Sequence, residues 1–167
     1  MPTRREFLRA GAAAAAFLAL LRRLPAHAAA RAGVLDTEAR QALMAIIPVM
    51  LAGALPEGQA RTQAVSDVAD GVETAIAGLP LPLQEEVAQL FSLLTFAPTR
   101  CLVAGVWRSW PRAHPDDVAA FLQDWRTSWF GLLQSAYHAL HELIMASWYA
   151  RPESWAAVGY PGPPRLT

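Results

Sequence analysis

The sequence predicts an all-α protein: a compact helical domain of five to six helices, followed by an extended Pro/aromatic C-terminal tail. Three observations carry that expectation. Apolar residues recur at spacings of three and four through most of the chain, as one buried face of a helix requires. No run of comparable quality alternates apolar and polar residues at strand period. Gly and Pro fall at intervals of helical length, at Gly53 and Pro56, at Gly78, Pro80 and Pro82, at Pro98, and at Pro111 and Pro115, where they end one element and open the next. The chain has 167 residues, 54% of them hydrophobic and 17% charged. That length favours a single domain with room for one core.

The first element, residues 1–28, reads as a removable export signal. Thr3-Arg4-Arg5-Glu6-Phe7-Leu8-Arg9 resembles the twin-arginine signal, whose informative positions here are Arg4, Arg5, Phe7 and Leu8. The Ala-rich apolar stretch from Gly11 to Leu21 is too short to span a bilayer as a helix. Ala26-His27-Ala28 supplies the small-x-small pattern of a cleavage site, with Ala26 and Ala28 in the small positions. Arg22 and Arg23 precede that site, and basic residues there resemble signals that avoid the unfolded-chain export route. The competing reading is an N-terminal helix that stays attached. The expected location is the periplasm, reached by the twin-arginine translocase with the cargo already folded.

Residues 29–35 read as a linker and 36–150 as the helical domain. Asp36 or Thr37 is placed to cap a first helix, with Leu43, Ile46, Ile47, Met50 and Leu51 on its apolar face and Pro48 set to kink or end it. A second helix runs from about Gln59 to Ala77 on a stripe of Val65, Val68, Val72, Ala75 and Ile76. A third spans about Leu83 to Phe96, with Glu85 and Glu86 in its first turn. Pro98 stops it, and Thr99 to Trp107 forms a short apolar helix. After a loop from Ser109, His114-Pro115-Asp116-Asp117 opens the longest pattern. Its periodic set is Val118, Leu122, Trp125, Trp129, Leu132, Ala136, Leu140, Leu143 and Ser147, and Gly131 divides it into two helices if it interrupts the pattern. Phe130, Tyr137, His141 and Trp148 project as a second strip, and a helix apolar on two faces must bury both. From residue 151 onward the tail is rich in Pro and aromatics; Trp155 and Tyr160 are its candidate anchors.

Charge excludes one function class. Residues 1–28 hold five Arg and one Glu, so the remainder carries nine Arg against thirteen acids, without the basic footprint that nucleic-acid binding needs. The cations are all Arg; the chain has no Lys. The single cysteine, Cys101, rules out an internal disulfide and a thiolate metal cluster. His138 and His141, three apart on a helix, are candidates to share a metal, but the HExxH pattern is missing and their directions diverge, so a packed or interfacial His141 competes with that role. Cys101 lies in an apolar stretch with no base beside it, which suits a buried thiol better than a nucleophile. Asp116 and Asp117 fit a helix N-terminus as well as they fit a catalytic pair. There is no GxGxxG, Walker A or GxSxG motif, so no catalytic residue and no cofactor site is expected in this chain.

The ending WYARPESWAAVGYPGPP, with the segments LLTFAPTRCLVAGVW and DDVAAFLQDWRTSW upstream of it, resembles the gluconate 2-dehydrogenase subunit 3-like proteins. These are the twin-arginine-exported small subunits of periplasmic flavin-dependent dehydrogenases. The resemblance covers the signal and roughly residues 83–164. It implies a non-catalytic accessory and escort subunit. Its partner would be a large FAD-dependent oxidoreductase subunit of the glucose-methanol-choline type, often without its own signal, and a multihaem cytochrome would accept the electrons in some complexes. The FAD would sit in the partner. Phe130, Tyr137, His141, Trp148, Trp155 and Tyr160 are then the candidate partner-binding residues. The alternative is a free-standing periplasmic helical protein that binds a small apolar ligand or a metal.

Overall fold

A computed structural model describes residues 35–155 and 159–161. The signal, most of the linker and the end of the tail lie outside the described residues. Among the described residues there are seven α-helices, one 3-10 turn and no strand. The helices are α1 (Thr37–Met50), α2 (Gln59–Ala77), α3 (Leu81–Thr95), α4 (Ala97–Val103), α5 (Pro115–Arg126), α6 (Gly131–Tyr149) and α7 (Pro152–Trp155), with the 3-10 turn at Trp110–Arg112. Five are substantial, and α4 and α7 are short.

Helix α1 is the central element. The Ala39 amide donates to Asp36 Oδ1 at 2.7 Å, so Asp36 is its N-cap. Ala42, Leu43, Ile46 and Ile47 are wholly buried, because α1 packs on α2, α3, α5 and the 3-10 turn together. Burying each of the three larger side chains contributes roughly 1.5–3 kcal/mol. Pro48 lies inside the helix, which continues to Met50.

Helix α2 crosses α6 at Gly71. A Cβ at Gly71 would lie 3.1 Å from Ser147 Cβ, so the missing side chain lets the two backbones approach. Arg151, just past the end of α6, ties the pair further through Asp67 of α2 at 2.8 Å. Also on α2, Asp70 and Glu73 are bridged by Arg40 of α1. The hydrogen bonds that Arg40 donates to Asp70 and then to Glu73 raise its pKa above its ordinary value.

The carbonyls at the ends of α3 and α4 have no partner within their own helices. Three side chains supply one. Thr99 Oγ1 donates to the Leu93 carbonyl at 2.6 Å, Trp110 Nε1 to the Leu94 carbonyl at 2.8 Å, and Trp125 Nε1 to the Val103 carbonyl at 3.1 Å. Trp110, Phe121 and Trp125 continue as an edge-to-face stack, with ring centroids 6.0 and 4.7 Å apart.

Several boundaries differ from the sequence expectation, each for a physical reason. Helix α3 starts at Leu81 because Pro80 is its N-cap and Pro82 is tolerated in the first turn. Pro98 opens α4 instead of merely stopping α3, since it occupies the first turn of Ala97–Val103. The short helix ends at Val103, and Gly105, at φ +67°, turns the chain there; Trp107 is in the loop. The long pattern is two helices, with Thr127 as the C-cap of α5 and Phe130 as the N-cap of α6. Beyond that turn, Leu140 and Ser147 of the expected face are buried. Trp129 and Leu132, expected on the buried face, are exposed, and Trp148, expected on an outward strip, is only 3% exposed. The beginning of the tail is also helical, not extended: Pro152–Trp155 forms a turn whose Ser154 is buried.

Candidate functional site: an apolar groove between two helices

Helices α3 and α6 are both apolar around more than one face. Helix α3 carries Leu83, Val87, Leu90, Phe91, Leu93 and Leu94, and α6 carries Leu132, Leu133, Ala136, Leu140, Leu143 and Ile144. One stripe of each turns into the core, through Phe91 and Leu94 on α3 and Leu140 and Ile144 on α6. At the edge of that core the two helices face each other across a groove of about 710 Å³. Leu79, Leu83, Val87, Leu90 and Leu93 make one wall, and Leu132, Leu133, Ala136, Ala139 and Leu143 the other. Glu86, Gln89, Ser135 and Glu142 are the polar residues that line it. No described residue fills it. The small side chains Ala136, Ala139 and Ala146 on α6 keep it open.

None of the candidate site residues singled out from the sequence lines this groove. Tyr137 and His141 are half-buried on α6 and stack, with centroids 5.9 Å apart and planes at 30°. His138 is exposed and packs edge-on against the other side of Tyr137, at 5.6 Å. Tyr137 is therefore the shared neighbour of the two imidazoles. Among the described residues no group of three or more His, Cys, Asp or Glu side chains is placed to hold a metal ion. Phe130 is half-buried at the start of α6 against Trp129. Trp148 belongs to the core, which removes it from the candidate partner-binding surface.

Trp155 and Tyr160 do meet. Their rings pack edge to face at 5.4 Å, the Tyr160 amide donates to the Trp155 carbonyl at 3.0 Å, and Trp155 Nε1 donates to the Tyr149 carbonyl at 2.9 Å. These bonds fold the first part of the tail back on the end of α6. Cys101 is half-buried, with Sγ 3.8 Å from the Val106 carbonyl. Asp116 and Asp117 are exposed in the first turn of α5. The Asp116 amide donates to His114 Nδ1 at 3.3 Å, so His114 caps that helix.

Sequence reasoning missed the groove. Its α6 wall is built on Leu132, Ala136, Ala139, Leu143 and Ala146, and Leu132, Ala136 and Leu143 belong to the periodic set expected on the buried face, where nothing marks them as lining a groove. The usable signal was that α3 and α6 each carry too many apolar residues for one buried face.

No helix among the described residues is long and apolar enough to cross a membrane. The chain matches no model of a protein family, no curated protein and no solved structure.

Proposed function

We propose that this chain is a non-catalytic escort subunit: it binds a large flavin-dependent dehydrogenase subunit, stabilises it, and carries it folded into the periplasm on its own twin-arginine signal. The observation that supports this reading most is the open groove between α3 and α6. Its two walls are apolar and run along both helices, which is the form that receives an amphipathic helix of another protein. A chain that exports only itself has no need of such a surface, whereas a folded-export signal on a subunit with a partner groove accounts for both features. The resemblance of the C-terminal segments to small subunits of periplasmic dehydrogenases points the same way. In this reading FAD belongs to the partner, and a cytochrome is a further member of the complex.

The test is co-purification from the native host. A tagged full-length chain should elute with a large protein that releases FAD on denaturation. Leu83→Glu with Leu132→Glu places two charges on exposed positions of the groove walls. That variant should keep its thermal unfolding temperature and lose the flavoprotein. Elution without flavin from wild type would overturn the reading.

The groove's volume supports one second reading, since about 710 Å³ lies in the range of small-molecule sites. A free-standing periplasmic binding protein for a small apolar ligand would show a stoichiometric adduct and no partner in native mass spectrometry.

A further inference from the structure

The three most exposed apolar side chains among the described residues are Trp129 at 86%, Leu102 at 81% and Trp107 at 74%. Burial in this fold explains none of them. Leu102 is at the end of α4 and Trp107 in the loop after it, while Trp129 is in the turn after α5; the two segments are far apart in sequence and joined in space. The bond from Trp125 Nε1 to the Val103 carbonyl fixes the end of α4 to the end of α5, and each of the three residues lies within four positions of one of its two partners. The two segments are held on both sides. Arg100 Nε donates to the Val106 carbonyl, and the Phe121–Trp125 stack backs the junction.

Charge singles out the same end of the molecule. Residues 95–113 and 125–141 contain four Arg and no acid; Asp124 and Glu142 border the second stretch. The rest of the chain after residue 28 has five Arg against thirteen acids. Arg108 and Arg126, beside Trp107 and near Trp129, are exposed, and among the described residues neither meets a carboxylate. Arg40 and Arg151, elsewhere, are both paired.

We propose that the end carrying Leu102, Trp107 and Trp129, flanked by Arg108 and Arg126, is a docking surface for an anionic phospholipid bilayer. Trp rings favour the headgroup level, where the indole N–H stays wet and the ring is apolar. Guanidinium groups beside them meet lipid phosphates, and the acid surplus on the rest of the chain orients this end toward the membrane. Three side chains that stand almost clear of the surface would each need a matching pocket on a folded partner. A fluid bilayer accepts them as they are. The attachment is peripheral and leaves the α3–α6 groove for a protein. It does not depend on the escort reading, because vesicle binding needs no partner.

The test uses the full-length chain with vesicles of phosphatidylcholine containing phosphatidylglycerol, and with vesicles of phosphatidylcholine alone. All six Trp lie at position 107 or later, so the emission reports on the helical domain and not on the signal. Wild type should sediment with the anionic vesicles, more weakly as salt rises, and its Trp emission should shift to the blue. Trp107→Ala with Trp129→Ala should keep the thermal unfolding temperature and bind about tenfold more weakly. Arg108→Glu with Arg126→Glu should lose the preference for phosphatidylglycerol. Equal binding by wild type and the Trp variant would overturn the proposal, as would binding with unmoved emission or no binding to anionic vesicles. Loss of a co-purifying flavoprotein in the Trp variant, with no vesicle binding by either protein, would reassign this end to a protein partner.

Discussion

Trp110, Thr99 and Trp125 direct side-chain donors to carbonyls that the ends of α3 and α4 leave without helical partners. A buried carbonyl that loses its partner keeps the full cost of having left water. Trp110→Phe retains an aromatic ring against Phe121 and removes the donor to Leu94, so it should lower stability by about 1–3 kcal/mol. Urea unfolding measures this, and an unchanged midpoint would show that Leu94 has found another donor. Gly71 poses the opposite problem, since space there and not polarity is limiting. Gly71→Ala gains helix propensity of about 1 kcal/mol and meets Ser147 at 3.1 Å, so the two effects should nearly cancel. Gly71→Leu cannot be accommodated without moving α6 and should cost roughly 1–3 kcal/mol. A thermal melt of the two variants side by side separates propensity from packing.

At the scale of elements, much of the fold was legible because period and punctuation agree over long stretches. Helices α1 and α2 follow their apolar stripes and Gly breaks closely, and Asp36 caps α1 as its side chain suggests. Residues 115–149 were harder, since spacings of three and four run through a turn almost without a gap. A face extrapolated from α5 correctly buries Leu140 and Ser147, but it also puts inside Trp129, which is in the turn, and Leu132, in the first turn of α6, both of which are exposed, and it leaves Trp148 outside the core that it joins. Sequence periodicity does not show which members of such a run fall in the turn and the first helical turn after it, where the core does not reach. The groove was illegible for a related reason: its α6 wall relies on Ala136, Ala139 and Ala146, whose contribution depends on what stands opposite. The C-terminal turn is also a tertiary product. Arg151 anchors it to Asp67, 84 positions away. Its Nε lies 3.6 Å from Glu153, near enough for ionic attraction but with no hydrogen-bond partner. Arg151→Ala should therefore lower stability by about 1 kcal/mol, and faster amide exchange in residues 150–155 would show the local loosening.

On the scale of the whole molecule, the described residues combine a core around α1 with two apolar features at its surface. One is concave, between α3 and α6. The other protrudes, at the joined ends of α4 and α5. With an N-terminal segment that resembles a folded-export signal, the groove is the feature on which the proposed escort role rests. The most direct measurement is the location of flavin-dependent dehydrogenase activity in native-host cells in which Arg4 and Arg5 are both replaced by Lys. The escort account predicts that the activity and the large subunit's FAD stay in the cytoplasm with the variant chain, and return to the periplasm when wild type is restored. A flavoprotein that reaches the periplasm in full amount beside the Lys variant would contradict it.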